Sequence, residues 1–244
     1  GRRAEVPIGL CEESVEPVFI QLQDYPHLLV IGQFRKGKSN TLKVLMHGLL
    51  KNPSISVGVF DNVDRSLAGF QDHEPVSYLK NKEDINDWIV KAEGVMKERE
   101  NIYMECLQMN KPLPMFDKFV LLIDGYGRFQ QSTDTKIQEA AAGFMKQYSY
   151  LGFSVIVAGN ANEFSKGFDS FTTELKQIRQ GLVLMKKSDQ SIFNLSFTRN
   201  EKEIQPGFGY FVENGKERLI QIPKYTVREV NQNELQNEHI VDGG

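Results

Sequence analysis

The chain has 244 residues, 40% of them hydrophobic and 25% charged, with 29 Lys and Arg against 32 Asp and Glu. That composition excludes collagen-like, coiled-coil and mostly disordered chains, and a formal charge of −3 gives no overall basic field for nucleic acid or an anionic membrane. Cys11 and Cys106 are too few for a disulfide framework and lack metal-ligand spacing, and no apolar stretch approaches the ~20 residues of a membrane span.

The start, GRRAEVPIGL, has no apolar signal segment and reads as a cut from a longer protein. In chain order, continuous apolar runs at 27–31 (HLLVI), 55–60 (ISVGVF), 119–123 (FVLLI), 153–158 (FSVIVA) and 182–185 (LVLM) read as strands covered on both faces. Helical patterns lie between them, which predicts an α/β fold with a mostly parallel five-strand core flanked by crossover helices. One helix is expected over 40–50. From 84 to 109, Ile85, Trp88, Ile89, Ala92, Val95, Met96, Ile102, Tyr103 and Cys106 recur at helical spacing, and Pro112 supplies the stop. Another helix is expected over 136–150, with Ile137, Ala140, Ala141, Phe144, Met145 and Tyr148 inward. Late in the chain, 210–212 and 218–222 flank Asn214-Gly215, which predicts an antiparallel hairpin at an edge of the sheet. The resulting division is one domain over 1–228 and a polar tail over 229–244.

Gly32, Gln33, Phe34, Arg35, Lys36, Gly37, Lys38 and Ser39 fit GxxxxGK followed by Ser or Thr, between a predicted strand and the predicted helix that begins at Asn40. Glycines there let main-chain N–H groups converge on phosphate oxygens, and the helix start adds partial positive charge. Lys38 would neutralise phosphate, and Ser39 would give its hydroxyl oxygen to Mg²⁺. The run 119–123 delivers Asp124 at its carboxyl end, the expected position of a metal-side acid. Asp61 ends another strand, as a turn carboxylate or a lining of the same crevice. Asn160 ends a third, as a turn former or a sensor of terminal phosphate or water. His27, His47, His73 and His239 have no zinc-like spacing and read as core or surface residues.

These residues resemble the FtsK/SpoIIIE family of ring-forming, RecA-like motor ATPases over nearly the whole chain. The resemblance runs through PIGL near the start, the segment 26–30 before the loop, Phe60-Asp61, KERENIYMECLQMN, FVLLID, LGFSVIVAGN and PGFGYF at 206–211. Within the family the chain looks most like the last ATPase domain of the membrane-bound coupling ATPase of type VII secretion. The resemblance implies a RecA-like P-loop NTPase that takes ATP and Mg²⁺ on the cytoplasmic side of the cell membrane, anchored through segments outside this chain. It implies neighbouring ATPase domains of the same chain, a homohexamer of the full-length protein, and small helical-hairpin (WXG-family) secreted substrates as partners. Hydrolysing relatives place a Glu after the metal-side Asp, where this chain has Gly125, and a Gln and an Arg where it has Asn160 and Ser149. Loss of a general base costs typically 10²–10⁴-fold in rate, so binding with weak or no hydrolysis is expected. The alternatives are an active double-stranded DNA translocase and a scaffold whose loop is closed by Phe34, Arg35 and Lys36.

Overall fold

The computed structural model describes residues 5–226. The expected tail at 229–244 and His239 lie outside them. Strands β1 (Glu5–Cys11) and β2 (Pro17–Gln21) form a hairpin ahead of β3 (Leu28–Gly32) and helix α1 (Lys38–Leu49). Next come β4 (Ser56–Phe60), β5 (Val76–Leu79), α2 (Lys82–Gln108), β6 (Phe119–Asp124), α3 (Tyr126–Ser132) and α4 (Thr135–Gln147). The chain continues through β7 (Phe153–Gly159), α5 (Ala161–Lys166), α6 (Ser170–Leu175), β8 (Gln180–Leu184), β9 (Phe208–Glu213) and β10 (Lys216–Gln221).

All ten strands make one sheet in the order β2-β1-β10-β9-β8-β3-β7-β6-β4-β5. The five predicted strands are contiguous within it and mutually parallel, and β5 adds a sixth parallel strand. Their side chains alternate between two apolar layers. Leu29, Ile31, Leu121, Ile123, Val155 and Val157 pack with α2, α3 and α4 on one face. Leu28, Val30, Val120, Leu122, Ile156 and Ala158 pack with α1 and the β1–β2 hairpin on the other. Burial on both faces is why these strands read as unbroken apolar runs.

The Asn214-Gly215 hairpin forms, with φ of 48° and 79° at its two turn residues, the positive pair that a tight hairpin turn requires. It is not at the edge, because β1 pairs with β10 and β2 lies outside β1. Helix α2 also differs from expectation. Ile85, Trp88, Ile89, Ala92 and Met96 are buried, whereas Ile102 is 41% exposed and Cys106 only half-buried. A 27-residue helix runs ~40 Å, about twice the ~20 Å of a six-residue strand, so its last turns outrun the sheet that would cover them. No helix among the described residues is long and apolar enough to cross a membrane.

Candidate functional site

The register of the parallel strands sets the site. Ile31 lies opposite Gly159, and Ala158 opposite Asp124, so the loop after β3, the end of β6 and the end of β7 open at one edge of the sheet. The loop turns through Arg35 at φ 58° and Gly37 at φ 89° before α1 begins at Lys38. Phe34 is 76% exposed, Arg35 lies over its ring, and Lys36 faces Glu203. These bulky side chains are at the surface, which goes against the alternative in which they close the loop.

The Lys38 ammonium folds back onto the loop. It donates to the Gly32 carbonyl at 3.1 Å, the Gln33 carbonyl at 2.7 Å and Asn160 Oδ1 at 3.1 Å. Burial pulls its pKa down, and the Asp124 and Glu163 carboxylates oppose that pull. Ser39 Oγ donates to Asp124 Oδ2 at 2.9 Å, and Ser66 Oγ donates to the same oxygen at 3.2 Å. Asp124 is buried, and desolvation raises its pKa despite the Ser39 hydrogen bond. Carboxylate oxygens of Asp61, Asp64 and Asp124 lie within 4.8 Å of one another. Hard oxygen donors from three carboxylates and a serine suit Mg²⁺.

Asp61 takes both expected roles, standing with Asp64 and Asp124 at the crevice and holding a turn. Its carboxylate accepts from the N–H of Asn62 and Leu67 and from the Tyr78 hydroxyl, holding the loop after β4. The Asn40 side chain donates to the Pro223 carbonyl and accepts from the Tyr225 N–H, tying down the strand exit after β10, and Asn40 also lines the cavity beside the phosphate loop. Asn160 begins α5 in a reciprocal cap with Glu163, while its carbonyl oxygen reaches Lys38. Ser149 lies elsewhere, paired at 3.0 Å with His27 Nε2 at the opposite end of the sheet.

Gly125 caps α3 at φ 84°, and a Cβ there would stand 3.0 Å from Asn62 Cγ. No side chain at this position can act as a base. The carboxylate on the other flank, Glu163, has both oxygens engaged by Asn160. Beside the loop, a cavity of about 670 Å³ is lined by Phe34, Pro206, Phe208, Ile222 and Lys224, among others.

Asp64, Ser66, Glu163 and this cavity wall are absent from the sequence-based reading. Asn160-x-x-Glu163 after a strand is a capping signature, so Glu163 carried a detectable signal. Asp64 and Ser66 sit in an aperiodic loop and carried none.

No protein-family model matches the chain. It is 51% identical over 219 residues to the ESX secretion system protein YukB of Bacillus subtilis, a match covering 89% of this chain and 15% of that protein. The solved cytoplasmic domain of EssC is similar at a TM-score of 0.88 and 47% identity, over 91% of this chain and 44% of that one. EssC ATPases 2 and 3 of Geobacillus thermodenitrificans give a TM-score of 0.85 at 47% identity, over 91% and 42% of the respective chains. The chain spans about 15% of the length of the curated relatives it matches.

Proposed function

We propose that this chain, an ATPase domain of the EssC/EccC type, binds ATP with Mg²⁺ and hydrolyses it weakly or not at all. The observation that carries this reading is a loop whose lysine is in place and whose serine already meets the buried Asp124, beside a Gly125 that can accept no proton. Main-chain N–H groups of Gly32 to Ser39 and the Lys38 ammonium would hold the phosphates. Ser39 and Asp124 would hold Mg²⁺, which when bound neutralises phosphate charge. The cavity lined by Phe34, Phe208 and Ile222 is within the size range of small-molecule sites and would take the nucleoside.

In this proposal residues 1–228 act as one domain, the third ATPase of a longer membrane-anchored secretion motor on the cytoplasmic side. Neighbouring ATPase domains and small helical-hairpin substrates are its partners, and ATP holds a domain arrangement that docks or gates those substrates rather than driving each stroke. Linkage supplies the energy: ligand at 100 times its dissociation constant stabilises the binding-competent state by ~2.7 kcal/mol. Calorimetric titration with Mg-ATP and a phosphate-release assay test it. Saturable binding without release above background is expected; absence of binding at millimolar ATP, or steady release at the rate of a competent ATPase, overturns it.

A further inference from the structure

We propose that Glu163 is a positioning residue: it holds the Asn160 side chain so that its carbonyl, not its NH₂, faces Lys38 and competes with a terminal phosphate for the ammonium. The inference rests on the nucleotide-binding reading and assigns a role to a carboxylate outside the phosphate loop.

The orientation of Asn160 follows from its neighbours. Lys38 has only donors and accepts nothing, so the atom facing it at 3.1 Å is Oδ1. Glu163 has only acceptors when ionised, so it takes Nδ2 at 3.2 Å on Oε1 and the Asn160 backbone N–H at 2.9 Å on Oε2. A flipped amide would set NH₂ against the ammonium and a carbonyl against a carboxylate. The slot that admits Glu163 is also built: a Cβ at Gly127 would come within 2.8 Å of Oε1, and one at Gly159 within 2.7 Å of Oε2. Both neighbours must lack side chains for the carboxylate to reach Asn160.

Two consequences follow. Asn160 turns its carbonyl rather than its NH₂ toward Lys38, because Glu163 holds one N–H of that NH₂ on the far side. Lys38 must exchange the Asn160 carbonyl for phosphate, so the amide opposes occupancy of the site, most strongly by the nucleotide whose terminal phosphate reaches this flank.

Glu163→Gln is the decisive change. The backbone N–H of Asn160 cannot turn, so it keeps the single Gln carbonyl, and the Gln NH₂ then faces the Asn160 NH₂ and releases the side chain to reverse once phosphate draws Lys38 off its carbonyl. The freed NH₂ points at the phosphate position. Binding of ATP and ADP, compared in the same domain, is expected to shift toward ATP by about tenfold in E163Q, as one hydrogen bond to a charged group is gained. Asn160→Ala, which removes the competitor without adding a donor, is expected to shift it by about threefold. Adding E163Q to N160A should change little further, since only the field of the carboxylate on Lys38 is then removed. Weaker ATP binding relative to ADP in N160A, as for a direct phosphate donor, or an equal E163Q effect with and without Asn160, overturns the proposal. A nucleotide-free measurement separates its failure from that of the binding reading. The Asn160 side-chain NH₂ signals in NMR should exchange slowly with water in the wild type and faster in E163Q; identical exchange overturns the proposal even if no nucleotide binds.

Discussion

The two flanks of Lys38 are built to different standards. On the β3–α1 side every element of a phosphate cradle is present: two loop glycines, the ammonium, and a serine joined to a buried aspartate. On the β6–β7 side the groups that would work on a water molecule are missing or engaged. Gly125 has no side chain, and Glu163 is committed to Asn160. Gripping an anion needs main-chain geometry, which the parallel sheet supplies through its register, whereas activating water needs one basic atom at one place. In the proposed reading the domain has given up the second capacity and retained the first.

The sharpest way to break this contrast is Lys38→Ala. It should weaken ATP binding about 100-fold or more, roughly 3 kcal/mol, through loss of charge-assisted contacts; titration calorimetry that finds unchanged affinity would remove the binding flank from the account. The next effect falls on the strand pair that carries both flanks. His27 bridges β3 and β7, accepting the Val155 N–H on Nδ1, and burial, assisted by nearby Lys118, holds its pKa down to about 4. Its folded pKa lies below the unfolded value, so the stability it supports is present above about pH 6.5 and is lost as pH falls toward 4. Denaturant melts at pH 7 and pH 5 should differ by about 2 kcal/mol from this group, and His27→Gln should remove that difference.

On the weaker flank, Gly125→Glu should yield no phosphate release. A non-glycine residue at φ 84° costs about 1–2 kcal/mol, and the new Cβ crowds Asn62, so the variant should melt several degrees lower. Restored turnover would mean that the hydrolytic flank lacks only one group. The smallest change is expected from Asp124→Asn. It keeps the shape and one acceptor for Ser39, and should reduce the Mg²⁺ dependence of ATP binding by about fivefold, measured by titrating Mg²⁺ at fixed nucleotide.

What could be read early and what could not divides along burial and length. The parallel strands announced themselves because both faces are covered. The β1–β2 hairpin did not, since its burial alternates and Pro7 and Pro17 interrupt it. Strand β5 has only four residues at the sheet edge, three of them half-covered, and α3, α5 and α6 are six or seven residues long, too short to show a period. The Gly32 to Ser39 loop was legible because backbone geometry demands glycines at fixed offsets. The roles of Asp61 and Asn160 were not, because Asp61 depends on the Tyr78 hydroxyl and Asn160 on the Lys38 ammonium, each brought from another part of the chain.

The order of residues alone therefore determined the α/β class, and it marked the GxxxxGKS loop, the acid after β6 and the glycine that follows it as the proposed site, all of which depend on neighbours within a few positions. Only the tertiary structure decided that Asp61 staples a turn, that Asn40 anchors the exit from β10, and that Glu163 stands behind Asn160 facing Lys38. Those assignments rest on contacts between strand ends more than a hundred residues apart in the case of Lys38 and Asn160, set by sheet register, and a local pattern holds no record of register.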